Sequence, residues 1–190
     1  MHSFFAKKIS ELGNDEIFSN KFSMLVCLIS AFIFSSMSPT EKLSKLGIEL
    51  PSPPAAAGLY KPVLIEGSLI YFSGHLPINN DGTMIVGKVG ADLSVEEGNA
   101  AARQVGMNIL SSVKQALGSL DRVSSVVKLL GMVNAIQDFT QHPQVINGCS
   151  ELFKEIWGDE KGVGVRSAFG VSGLPAGVPV EIEGILKLKI

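Results

Sequence analysis

Cysteine and histidine are scarce in this chain, and their placing excludes the common disulfide and metal frameworks. The only cysteines are Cys27 and Cys149, too few for a disulfide-stapled scaffold or a four-cysteine zinc site. His2, His75 and His142 are scattered and make no HExxH or comparable ligand spacing, so no metal is expected. No Asn-x-Ser/Thr acceptor occurs, and nothing marks the chain as glycosylated and secreted. Charge is sparse as well: 18% of residues, with 16 basic against 18 acidic and a net charge of −2. Such a chain lacks the positive field that draws a phosphate backbone, so nucleic acid is not an expected partner. Hydrophobic residues nevertheless reach 46%, which excludes intrinsic disorder. The length, 190 residues, suits one domain with a remainder.

That remainder lies at the N-terminus. Residues 22–40 carry no charge and include the run Met24-Leu25-Val26-Cys27-Leu28-Ile29, followed by Ala31-Phe32-Ile33-Phe34. Three readings fit: a dispensable extension with Met37 as the working start, a signal or anchor segment, or an integral part of the fold. Upstream, Lys7, Lys8 and Lys21 mix with Glu11, Asp15 and Glu16, a poor n-region for a signal peptide and too acidic for a mitochondrial presequence. We divide the chain into an N-terminal hydrophobic extension, residues 1–40, and one domain, residues 41–190. The expected compartment is the cytoplasm. A mitochondrial or membrane-associated location would depend on residues 1–40, and membrane contact on their retention as an anchor.

Thr40 is placed as the cap of a short helix running to Leu46, with Gly47 as its stop. Val63–Glu66 and Leu69–Phe72 read as strands around Gly67-Ser68, and Met84–Lys88 as a third strand after the turn Asn79-Asn80-Asp81-Gly82. Ser94-Val95-Glu96-Glu97 is a capping box opening a helix to about Leu117, with Ala102, Val105, Ile109, Val113 and Ala116 as its apolar stripe. Val123–Val133 is β-rich. A second long helix starts near Pro143, carries Val145, Cys149, Leu152 and Ile156 inward, and ends at Gly158. Val165–Val171 and Val180–Leu188 close the chain as strands. In the last, Val180, Ile182, Leu186 and Leu188 share one face and Glu181 and Glu183 the other. The expected fold is α+β, one mixed sheet backed by two helices.

Gly82 to Val89 nearly spells a P-loop, but Val89 stands where Ser or Thr must hold Mg²⁺. Gly162-Val163-Gly164 lacks the strand and helix of a dinucleotide fingerprint. No G-x-S-x-G nucleophile elbow occurs. Arg166 stands apart. It sits alone in the β-forming run Gly164-Val165-Arg166-Ser167-Ala168-Phe169, where its planar fork must reach water or an anion. If the last two strands were antiparallel neighbours, they would present Arg166 and Glu181 to one cleft. The two would then form either a ligand site or an ion pair that merely holds the sheet.

Four pieces together resemble the Rid family, the reactive intermediate deaminases, also called the YjgF or L-PSP endoribonuclease-like family. They are Tyr60 thirteen residues before Ser73-Gly74-His75-Leu76-Pro77, Asn147 after Asp138-Phe139 and His142-Pro143, the Arg166-Ser167 strand leading to Leu174-Pro175, and Pro179-Val180-Glu181-Ile182-Glu183. The resemblance spans roughly Leu46 to Lys187. It implies a chorismate-mutase-like fold and a homotrimer with clefts between subunits that hold a small carboxylate-bearing metabolite without any cofactor. It also implies hydrolytic deamination of enamines or imines of the 2-aminoacrylate type to 2-oxo acids. In that scheme Arg166 binds the substrate carboxylate and Glu181 positions the attacking water. Tyr60, Ser73 and Asn147 line the cleft, and Gly74 keeps its floor open. A non-catalytic metabolite-binding trimer is the alternative, and an endoribonuclease or translation inhibitor a third. The sequence departs from the family pattern at Ala168, where many deaminating members have cysteine, and at His75, where glutamine is common.

Overall fold

A computed structural model describes residues 37–189. The apolar run up to residue 36, and the readings placed on it, lie outside the described residues. Helix α1 (Pro39–Lys45) is capped by Ser38, whose side chain accepts from the Glu41 N–H while the Glu41 carboxylate accepts from the Ser38 N–H. Thr40, the expected cap, lies one residue inside the helix. Its N–H and hydroxyl donate instead to the Asp121 carboxylate, at 3.0 and 2.9 Å.

Strands β1 (Val63–Glu66) and β2 (Leu69–His75) form a hairpin whose two-residue loop begins with Gly67 at φ 57°, the left-handed conformation such loops require. Residues 84–88, expected as a third strand, form none. Met84 makes a single bridge to Ile78, and the chain then turns through Gly87 (φ 128°) and Gly90 (φ 88°). The alternation of apolar residues there is real, but glycines in left-handed conformations break any ladder before it can extend.

Helix α2 (Val95–Leu117) opens on the Ser94/Glu97 capping box and ends at Gly118, φ 80°. Ala102, Val105, Ile109 and Val113 are buried as expected, but Ala116 is exposed and Leu117 takes the inward position. Strand β3 (Val123–Asn134), helix α3 (His142–Trp157), the short turn α4 (Asp159–Gly162), strand β4 (Val165–Val171) and strand β5 (Val180–Leu188) complete the domain. The sheet order is β1-β2-β5-β3-β4, antiparallel except for the parallel β3–β4 pair. β5 therefore enters between β2 and β3, splitting a βαβ unit, while α3 and α4 carry the crossover from β3 to its edge neighbour β4.

Both long helices cover one face of the sheet. Val105, Ile109, Ile146, Leu152 and Phe153 pack there on Ile70, Phe72, Leu129, Val133, Val180, Ile182 and Leu186. Gly131 lets α3 descend onto β3, because a side chain there would collide with Ile146. Gly148 brings α3 against the backbone of α2 at Asn99, and the Asn99 amide donates to the Gln144 carbonyl at 2.8 Å across this contact. Among the described residues no helix is long and apolar enough to cross a membrane.

Candidate functional site

The sheet register separates the two residues expected to meet. β4 and β5 are not neighbours, because β3 runs between them. Arg166 shares a row with Leu129 and Gly184, whereas Glu181 pairs with Met132. Leu129 is buried under the helices, and successive strand residues alternate faces. Arg166 thus turns toward α3, and Glu181 toward the open face. The expected antiparallel β4–β5 pair is corrected on this point, and no ion pair links the two side chains among the described residues.

What forms instead is two half-sites. In the first, Arg166 leans from the edge strand onto α3, where its Nη1 donates to Asn147 Oδ1 at 2.8 Å and to Ser150 Oγ at 2.9 Å. Asn147 and Ser150 lie three residues apart on one face of the helix. With Gly162, Val163 and Gly164 they border a recess of about 410 Å³. Sequence reasoning found Asn147 and missed Ser150. The i, i+3 spacing from Asn147 was the available signal, but a lone helical serine carries no distinctive pattern.

The second half-site is built on a bulge in β2. The register to β5 shifts between Phe72 and His75, which makes room for Ser73 and Gly74. The Glu181 carboxylate fills the space where a Gly74 side chain would stand. Glu181 is half-buried, and its carboxyl is held above the usual glutamate range, first by burial and then by the charge of Glu183. Ser73 donates its hydroxyl to the Lys61 carbonyl at 2.7 Å and borders an open-face recess of about 470 Å³ with Tyr71 and Glu183. Tyr60 is half-exposed, and its hydroxyl accepts from the Ala57 N–H at 3.3 Å. It shares a third recess of about 360 Å³ with Gly74. Among the described residues these three recesses divide the expected residues rather than gather all six. Arg166 and Asn147 stand together; Gly74 touches Glu181 and shares a recess with Tyr60, with Ser73 adjoining.

Two further groups near these residues, His75 and Cys149, are buried. His75 is buried, with Nδ1 donating to the Ser73 carbonyl at 2.7 Å and Nε2 facing Ser112 Oγ at 2.9 Å. Burial lowers its pKa against the opposing effect of the Ser73 carbonyl, so the ring stays neutral and pins the bulge. Burial pushes the Cys149 thiol up to about 12, with nearby Arg166 only partly offsetting it, so Cys149 is no nucleophile. Among the described residues no cluster of His, Cys, Asp and Glu could hold a metal ion.

Two outcomes follow from the second half-site. Gly74→Ala displaces the Glu181 carboxylate, the movable end of a flexible side chain. If Glu181 serves a reaction, as the resemblance implies, kcat/KM falls about 100-fold while the melting temperature changes little; full activity would show that Glu181 is not needed where it stands. Glu183→Gln removes a negative neighbour and eases ionisation of Glu181. If Glu181 must be ionised to work, the acid limb of the kcat/KM profile moves to lower pH, and an unmoved limb would contradict that role.

The family model described as “YjgF/chorismate_mutase-like, putative endoribonuclease” matches residues 40–176, a span that includes Arg166 and stops short of Glu181. Protein TCP17 of Trypanosoma cruzi is 42% identical over 147 residues, 77% of this chain and 92% of its own. A structure from Agrobacterium tumefaciens, of unknown function, shares 36% identity with a TM-score of 0.72, covering 82% of this chain and 96% of the other. Another, titled a “putative endoribonuclease” from Shewanella oneidensis, shares 34% identity with a TM-score of 0.76, covering 80% and 100%. The fold is the YjgF/chorismate-mutase-like α+β fold. The chain belongs to the YjgF/L-PSP endoribonuclease-like family.

Proposed function

We propose that this protein hydrolyses reactive 2-enamino and 2-imino acids to 2-oxo acids and ammonia, in clefts shared between the subunits of a homotrimer. The observation that carries the reading is Arg166. It is a strand arginine steadied by two neutral oxygens, with no carboxylate partner among the described residues. A substrate carboxylate completes it. Glu181, half-buried on the other face, then comes from the neighbouring subunit.

The chemistry asks little of the protein. An imine carbon is already electrophilic. An enamine first tautomerises to the iminium. Glu181 orients a water and takes its proton as the oxygen adds, then returns that proton to the carbinolamine nitrogen, which leaves as ammonia while the hydroxyl gives up its proton to solvent and becomes the ketone. No step calls for a cofactor. The trimer is supported by large apolar side chains on the open side of the sheet: Leu64, Tyr71, Val165 and Phe169 are 45, 38, 69 and 41% exposed. Among the described residues β4 is an edge strand, with one side of its backbone not engaged by another strand. In the same reading the domain from Ser38, the cap of α1, forms the trimer, and the residues before it are dispensable to it. A ribonuclease reading, which the names of some similar proteins suggest, gains nothing from a net charge of −2.

The test is to generate 2-iminopropionate in situ with an amino-acid oxidase and follow its decay. Wild-type protein accelerates the decay and Arg166→Ala does not. If wild type gives no acceleration, the reading fails. Thermal stabilisation by 2-oxo acids without turnover would replace it with the metabolite-binding trimer.

A further inference from the structure

We infer that Ser150 is a positioning residue that fixes which edge of the Arg166 guanidinium meets the substrate. The inference rests on the carboxylate-binding reading above. A guanidinium carries five N–H groups, two of them on Nη1. Nη1 donates to Asn147 Oδ1 at 2.8 Å and to Ser150 Oγ at 2.9 Å, so it meets as many acceptors as it has hydrogens and is engaged. The hydroxyl of Ser150 is turned to accept, since its own hydrogen has the Ile146 carbonyl in reach, 3.5 Å away and four residues back on the helix.

The consequence is geometric. An arginine can offer a carboxylate two parallel pairs of N–H groups, an end-on pair from Nη1 and Nη2 or a side-on pair from Nε and Nη2. With Nη1 engaged, the end-on pair is closed. Nε and Nη2 have no partner among the described residues, and they form the side-on pair. The substrate carboxylate is therefore taken side-on, in a fixed plane, beside the recess bordered by Gly162 and Gly164. Without Ser150, Asn147 alone would hold the group, and the plane of the fork would no longer be set.

The experiment compares wild type, Ser150→Ala and Ser150→Thr. Pyruvate affinity is read by calorimetry, KM and kcat are measured on 2-iminopropionate, and ¹⁵N relaxation of the Arg166 guanidinium is recorded without ligand. Ser150→Ala is expected to raise both the pyruvate Kd and KM about tenfold with kcat held within about twofold, the split that marks lost binding alone. It also mobilises the ligand-free guanidinium. Ser150→Thr, which keeps the acceptor oxygen, restores affinity. An unchanged Kd in Ser150→Ala overturns the assignment, and so does a threonine variant as weak as alanine. Wild-type protein that binds no 2-oxo acid overturns the carboxylate reading itself; the relaxation data then decide separately whether Ser150 orders Arg166.

Discussion

Arg166→Ala is expected to lower kcat/KM for 2-iminopropionate about 100-fold or more while leaving the protein folded and assembled. The size follows from the charge: losing one partner of a hydrogen-bonded ion pair in a partly desolvated site costs about 2–5 kcal/mol. The tolerance of the fold follows from the surroundings. Arg166, Asn147 and Ser150 are all only partly buried, so water can replace the lost guanidinium bonds. Arg166→Lys should rescue poorly, because an ammonium offers a point charge where the site takes a planar fork. The reversed charge of Arg166→Glu should leave the trimer folded and the site empty. Steady-state kinetics with light scattering on the same samples checks all three. A monomeric or aggregated Arg166→Ala protein would make the arginine structural.

The second large effect is on stability. Gly148→Ala is expected to lower the melting temperature by roughly 10 °C. The glycine faces α2, and a side chain there would collide with the Asn99 carbonyl oxygen and come within 3.0 Å of the Arg103 nitrogen. Both are backbone atoms, so no side chain can swing away and the helices must separate. Overpacking of this kind costs about 1–3 kcal/mol and occasionally more, and about 3 kcal/mol moves the midpoint of a domain this size by roughly that amount. The bond from Asn99 to the Gln144 carbonyl weakens with it. Alanine alone would favour a helix by about 1 kcal/mol over glycine, so a stabilised variant would show that the two helices are not in this contact. Scanning calorimetry decides.

Much of this fold is written in local patterns. The capping box at Ser94, the stripe on α3 and the alternation of β5 each depend on neighbours a few residues away, and each held. The face on which Glu181 stands was legible for the same reason. The pairing of strands was not, since β5 inserts between β2 and β3 through contacts far apart in sequence. That one fact put β3 between Arg166 and Glu181, and their registers on β3 set them on opposite faces of the sheet. The segment around Met84 failed differently: its apolar residues suit a strand, but Gly87 and Gly90 turn the backbone out of one. Ser150 and the seat of the Glu181 carboxylate over Gly74 were out of reach because each is a contact between elements, with no local signature.

The proposed shared cleft makes a demand that neither half-site makes alone. Arg166→Ala and Glu181→Gln proteins, each inactive on 2-iminopropionate, should be mixed, dissociated and allowed to reassociate, and the deaminase rate measured. In mixed trimers some clefts join the intact Arg166 of one subunit to the intact Glu181 of another. The inactive pair is expected to recover about a quarter of wild-type activity at equal mixing, as random assembly of a cyclic trimer requires. A mixture that exchanges subunits and stays as inactive as its parents would contradict a cleft built by two chains.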